Sequence, residues 1–171
     1  QKMSKSLGNS LFAHDLLAQT RPIVLRYFLG SGHYRSVLEF SETSLDEAAA
    51  AFSRIEGFLD RAASFAPSVL PEPMRGAATH DDVPSAFADA LFDDFAMPQA
   101  LAALHGAVRA GNIAIDEGDE QAVAERAAEV VAMLDVMGID PRDAIWRDGS
   151  AAGSAREQQA LGTLVDGMLA D

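Results

Sequence analysis

From residue 44 to residue 65 the apolar side chains return every three or four positions: Leu45, Ala48, Phe52, Ile55, Leu59 and Ala62. At 3.6 residues per turn this spacing gathers them into one stripe of an α-helix and leaves Asp46, Arg54, Asp60 and Arg61 largely on the other side. A strand needs strict alternation and cannot use the pattern. A helix this long must cover its stripe with other helices, so the stretch points to a packed helical fold. Ser44 and Glu47 predict a capping box at its start, and the stripe runs out near Phe65, before Pro67. Composition agrees. Of the 171 residues 49% are hydrophobic, but 32 are alanine and only 7% are aromatic. Alanine favours helix while burying little surface, which suits closely packed helices. The expected fold class is mainly all-α, an antiparallel helical bundle.

The rest of the chain reads the same way. A short helix is expected over His14–Gln19. A second begins at Pro22, a favourable first helical position, buries Ile23, Val24, Tyr27 and Phe28, and stops at Gly30 as a left-handed cap. Gly32-His33-Tyr34-Arg35-Ser36 reads as a polar turn and Val37–Phe40 as extended chain. Residues 67 to 84 hold four prolines and a Gly-Ala-Ala-Thr-His-Asp-Asp run, the composition of a linker or mobile loop. Helical spacing resumes with Phe87, Leu91 and Phe95. Pro98 opens the next helix, with Leu101, Leu104 and Val108 inward and Gly111 ending it. Another runs from about Asp119 to Met137 with Val123, Val130, Val131 and Leu134 inward and Gly138 past its end. A weak turn is expected at Ala144–Arg147, and a last helix over Ala155–Ala170.

Several function classes fall away on composition. The chain has no cysteine, so disulfides and thiolate zinc sites are excluded, and four scattered histidines do not make a metal site. No run approaches the ~18 apolar residues of a membrane helix, and no leader opens the chain. It reads as soluble, with the cytoplasm as its compartment and no membrane partner. Charge is uneven: residues 1–42 carry a net +2 and the remainder −15. Both lysines of the chain, Lys2 and Lys5, lie in the first five residues, and every other cation is arginine. Gln1 opens inside this charged stretch with no element before it, which reads as a boundary within a longer protein.

Lys2-Met3-Ser4-Lys5-Ser6 carries the chemistry. When a nucleotidyl group leaves ATP, negative charge builds on the departing pyrophosphate. Two ammonium groups on a flexible loop can follow that charge and stabilise the transition state more than the bound substrate. Ser4 and Ser6 add short donors, and Gly8 lets the loop open and close. The string, extended as Lys-Met-Ser-Lys-Ser-Leu-Gly-Asn, resembles the signature loop of class I aminoacyl-tRNA synthetases. His33-Tyr34-Arg35-Ser36 followed by Glu39-Phe40-Ser41-Glu42 resembles the cysteine enzymes among them. A second support is Phe87–Leu101, where Phe-x-x-Ala-Leu-x-Asp-Asp-Phe-x-x-Pro-x-Ala-Leu is similar to the start of their helical, DALR-type domain. Ala96 and Met97 stand where that family usually has Asn-Thr.

The resemblance implies an ATP-dependent cysteine–tRNA ligase of which this chain is a part, inactive alone, acting as a monomer on cysteine, ATP and tRNA(Cys). It implies four stretches: a signature loop and stem-contact segment over 1–42, a long connecting helix over 43–66, a linker over 67–83 and a helical bundle over 84–171. It implies Lys2 and Lys5 as catalytic cations, with Met3, Ser4 and Ser6 completing the ATP contact. Magnesium would arrive on the ATP phosphates. The family's zinc would be held by residues outside this chain, so no metal ligand is assigned here. Arg26, His33, Tyr34 and Arg35 become candidate tRNA contacts. For the last three, docking of the signature loop and a packed turn with Tyr34 half-buried stand as alternatives. Asp93 and Asp94 read as helix-terminal acids beside Phe95 rather than as a metal pair. Two rival functions remain. One is the related ligase that joins cysteine to a glucosaminyl-inositol in mycothiol synthesis, which more often has arginine where this chain has Leu7. The other is a non-enzymatic helical module that binds tRNA or protein.

Overall fold

The computed structural model describes residues 13–148. The signature loop, residues 2–6, and the expected helix over 155–170 both lie outside the described residues. Among the described residues seven α-helices follow in order: α1 Ala13–Leu17, α2 Pro22–Leu29, α3 Glu42–Phe65, α4 Ser85–Phe92, α5 Met97–Glu117, α6 Glu120–Met137 and α7 Ala144–Asp148. Two single-turn 3-10 helices, Pro67–Val69 and His80–Asp82, lie between α3 and α4, and there is no strand among the described residues. The mainly all-α class is what the structure shows. No helix among these residues is long and apolar enough to cross a membrane.

The stripe of α3 is buried along its whole length, from Leu45 to Ala62, with Phe58 added to it. It packs on α2 on one side and α5 on another, while α4 and α6 both pack on α5. Tyr27 of α2 meets Phe52 of α3 with ring centroids 5.6 Å apart. One cluster of buried side chains runs from Ile23 through Phe52, Phe87, Leu104 and Val130 to Ile139. The α2 segment and the later helices therefore share a single core. Gly118 turns the chain between α5 and α6 at φ 74°, a left-handed conformation that glycine adopts without strain. Asp119 then caps α6 by accepting from the Ala122 N–H, so a two-residue link reverses the chain.

Several expectations at helix ends need correction. The capping box of α3 is Ser41 with Ser44, three residues before the expected pair. The Ser41 Oγ accepts from the Ser44 N–H at 3.0 Å and the Ser44 Oγ accepts from the Ser41 N–H at 2.9 Å. Two serines satisfy the orphan donors as well as serine and glutamate do, and the helix gains its first turn. Gly30 caps α2 in the right-handed region, φ −83°, not the left-handed one. The first helix is Ala13–Leu17, shorter at its C-terminal end than His14–Gln19. Residues 37–40 lie in no helix, which leaves the extended reading standing, and Phe40 packs edge-on against Phe28 at 6.2 Å. Phe95 does not extend the α4 stripe, because α4 ends at Phe92 and Phe95 is 62% exposed at φ 53°.

The largest correction concerns Gly111. It does not end α5, which continues to Glu117. Gly111 is a contact residue: a Cβ there would collide with the buried Phe58 ring of α3, so its missing side chain lets the two helices approach closely.

The connection from α3 to α4 is tied to the body at several points. Val69 is buried in the core. The Asp135 carboxylate on α6 accepts from the Gly76 N–H at 2.6 Å and the Ala78 N–H at 3.0 Å. The Arg142 guanidinium donates to the Pro71 carbonyl at 2.6 Å while pairing with the fully buried Asp140, also at 2.6 Å.

Candidate functional site

After α2 the chain makes a tight turn over 33–36, closed by the Ser36 N–H donating to the His33 carbonyl at 2.8 Å. His33 and Tyr34 stack at 5.0 Å between ring centroids, 20° from parallel. The Arg35 guanidinium lies over the same phenol ring at 5.1 Å. Polar bonds then link the three to Asp94. Arg35 Nε donates to the Tyr34 hydroxyl at 2.7 Å, and that hydroxyl donates to Asp94 Oδ1 at 2.7 Å. Arg35 Nη2 approaches the same carboxylate at 3.2 Å, and His33 Nε2 lies 3.7 Å from its other oxygen. The last distance allows attraction to a protonated ring but is too long for a hydrogen bond. The bond to Asp94 raises the Tyr34 phenol above its ordinary pKa, because a neutral hydroxyl donates where a phenolate could not.

Tyr34 is 61% exposed and Arg35 is also largely exposed, so a large partner can reach both. Beside them opens a cavity of about 730 Å³ lined by Tyr34, Asp94, Phe87, Phe92, Phe95 and His80, among others. Phe92 is 78% exposed on its rim and stands 5.9 Å from His80, centroid to centroid.

Arg26 sits apart from this cluster. Its Nε and Nη2 both donate to the Met137 carbonyl at 3.2 Å, at the C-terminus of α6. A cation there satisfies an orphan carbonyl and complements the negative end of the helix. One position along, the Tyr27 hydroxyl meets His105 Nε2 on α5 at 2.8 Å. Burial, with Arg54 and Arg109 nearby, pushes the His105 pKa down, which favours the neutral ring in this contact. The sequence-derived candidates thus divide. His33, Tyr34 and Arg35 are brought together, Arg26 is engaged elsewhere, and residues 2–6 lie outside the described residues.

Asp94 was not among the sequence candidates. It is 60 positions from Tyr34, and no local spacing connects the two. Among the described residues no three His, Cys, Asp or Glu side chains converge in a way that could hold a metal, and the chain has no cysteine.

Residues 1–50 match the family described as tRNA synthetases class I (C) catalytic domain, and residues 86–139 match the DALR domain. The His33-Tyr34-Arg35 turn falls in the first match and Asp94 in the second. The chain is 55% identical over 163 residues to a protein of Clavibacter sepedonicus named cysteine–tRNA ligase, covering 94% of this chain and 34% of that protein. A protein of the same name from Streptomyces griseus subsp. griseus is 47% identical over 166 residues, 97% of this chain and 33% of its own length. Another, from a Nocardioides species, is 48% identical over all 171 residues and 34% of its own length. The chain spans about a third of the length of these relatives. It carries class I tRNA synthetase sequence followed by a DALR domain, and it is a homologue of proteins named cysteine–tRNA ligase.

Proposed function

We propose that this chain works as part of a cysteine–tRNA ligase: ATP and cysteine give cysteinyl-adenylate and pyrophosphate, and the cysteinyl group then passes to the 3′ end of tRNA(Cys). The observation that carries the reading is Lys2-Met3-Ser4-Lys5-Ser6 lying within a match to a class I synthetase catalytic domain. In this reading Lys2 and Lys5 follow the charge that develops on the leaving pyrophosphate, and Met3, Ser4 and Ser6 complete the ATP contact. ATP enters as its magnesium complex. Zinc belongs to residues beyond those present here. The ligase acts as a monomer in the cytoplasm.

The stretch 1–42 serves as signature loop and stem-contact segment, 43–66 as connecting helix, 67–83 as linker and 84–171 as helical bundle. The exposed Tyr34 and Arg35, with the partly buried His33 stacked against Tyr34, suit tRNA, since rings and a guanidinium meet bases and phosphates. Arg26, bonded to the end of α6, holds the stem-contact segment against the bundle and contributes to tRNA contact through that placement.

The test is Lys5→Ala in the full-length ligase that carries this sequence. Removing one charge-assisted donor to a developing anion typically costs about 2.7–4 kcal/mol, or roughly 100- to 1000-fold in rate. Cysteine-dependent ATP–pyrophosphate exchange should fall by that factor while tRNA binding stays nearly intact. An unchanged exchange rate removes Lys5 from the mechanism.

A further inference from the structure

We infer that Asp94 is a positioning residue for tRNA charging: its carboxylate fixes the direction in which the His33-Tyr34-Arg35 turn presents its rings and guanidinium. The inference rests on the ligase reading above and adds a residue that the sequence candidates did not include.

Within the turn the hydrogen bonds are local, Ser36 N–H to the His33 carbonyl at 2.8 Å and Arg35 N–H to His33 Nδ1 at 3.2 Å. These set the shape of the turn but not its direction relative to the helices. The connection to the body is made by Asp94, which accepts from Tyr34 at 2.7 Å and pairs with Arg35 at 3.2 Å. Asp94 itself stands on a fixed base. The Asp93 N–H donates to the Asp89 carbonyl at 2.8 Å, Phe95 N–H to Leu91 at 3.2 Å and Ala96 N–H to Ala90 at 2.9 Å, so the backbone on both sides is tied to α4. Asp94 takes φ 54° there, a left-handed conformation that aspartate, asparagine and glycine tolerate better than other residues. The carboxylate thus leaves the end of α4 in one direction, and the turn is bonded to it.

Stability does not explain the arrangement. The side chains of Arg35 and Asp94 are 67% and 45% exposed, and ion pairs that open to water add little to folding. Holding three side chains in a binding geometry before the partner arrives does matter, because the ordering is no longer lost on association. The link also crosses from the synthetase-like segment to the DALR domain, so the helical body sets the posture of a surface that precedes it in the chain. Adenylate formation, which the signature loop serves, does not pass through Asp94.

Charge complicates a simple deletion, since losing an anion near Arg35 strengthens attraction to any polyanion. Two substitutions that remove the same charge resolve this. Asp94→Asn keeps an oxygen to accept from Tyr34, and Asp94→Gly takes the same backbone conformation with no side chain. In the full-length ligase, tRNA KM for Asp94→Gly should exceed that for Asp94→Asn by about tenfold, a difference equal to about 1.4 kcal/mol. Cysteine-dependent ATP–pyrophosphate exchange should stay the same in both variants and the parent. Equal tRNA KM values for the two variants, or exchange falling in step with charging, overturn the inference. Lys5→Ala, run alongside, separates the two readings. If it abolishes exchange while the two Asp94 variants match, only the positioning role fails. If it leaves exchange untouched, the ligase reading fails and takes this inference with it.

Discussion

Replacing Gly111 with alanine adds one methyl group where α5 crosses α3, and the structure sets the sign of the effect. A Cβ built at Gly111 runs into the Phe58 ring and comes within 3.2 Å of the Arg126 Cβ. Phe58 is 1% exposed, so its ring moves only by displacing other core side chains. Alanine gains about 0.8–1.0 kcal/mol over glycine from helix propensity. Overpacking a filled core costs about 1–3 kcal/mol. The expected net effect is a loss of about 0–2 kcal/mol. Gly106, on the same helix, has nothing within 4 Å of the place its Cβ would occupy, so Gly106→Ala keeps the propensity gain without the collision. The two variants share one chemical change and one helix, and their difference isolates the Phe58 contact at about 1–3 kcal/mol. Urea unfolding followed by circular dichroism reads it directly, and thermal unfolding should separate the midpoints by about 2–4 °C per kcal/mol for a chain of this size. If Gly111→Ala proves as stable as Gly106→Ala, or more so, the close helix crossing is not what requires glycine.

Other outcomes follow from named contacts. Asp135→Ala removes the acceptor of the Gly76 and Ala78 N–H groups; both lie where water can partly replace it, so the loss should stay nearer the ~0.5–1.5 kcal/mol of an ordinary hydrogen bond for each. Protease cleavage near residues 75–78 should accelerate, and Asp135→Asn should be milder. His105 has a depressed pKa through burial, then Arg54 and Arg109, so the unfolded chain binds its proton more readily than the folded one. Its stabilising effect is complete above the unfolded value of about 6.5 and is lost as pH falls below that value toward the folded one; unfolding midpoints across pH 5–8 should show that slope, flattened in His105→Gln. The isolated chain, with a net charge of −13, should bind tRNA weakly at physiological salt because few phosphates can be neutralised. A sub-micromolar Kd by filter binding would contradict that expectation.

The helices were legible because their signals are local. The stripe of α3, Pro22 at the start of α2, and Asp119 and Gly138 at the ends of α6 all act within a turn or two of their own positions. Local reading failed where a residue answers to a distant partner. Gly111 follows an apolar run and looks like a terminator, but Phe58 on another helix is what demands its missing side chain; the left-handed glycine that ends α5 is Gly118. Phe95 has helical spacing from Phe87 and Leu91, yet the backbone turns left-handed at Asp94 and carries it outward. Of the site, the His33-Tyr34-Arg35 cluster was visible as a group of residue types. Its partner Asp94 was read only as an acid at a helix end, because nothing in a single sequence joins positions 34 and 94. Arg26 was read as a candidate tRNA contact, with its bond to the end of α6 hidden for the same reason: the carbonyl it bonds lies 111 positions away.

The burial of α2 bears on how this molecule can be divided. Ile23, Val24, Leu25, Tyr27 and Phe28 are all inside, and most of their cover comes from α3. Anyone expressing the bundle from α3 onward, without α2, would strip their partners on α3 of cover and leave a greasy trench along that helix. Such a product should self-associate, and a soluble version would need Pro22 onward kept, or polar replacements at Phe52 and its neighbours.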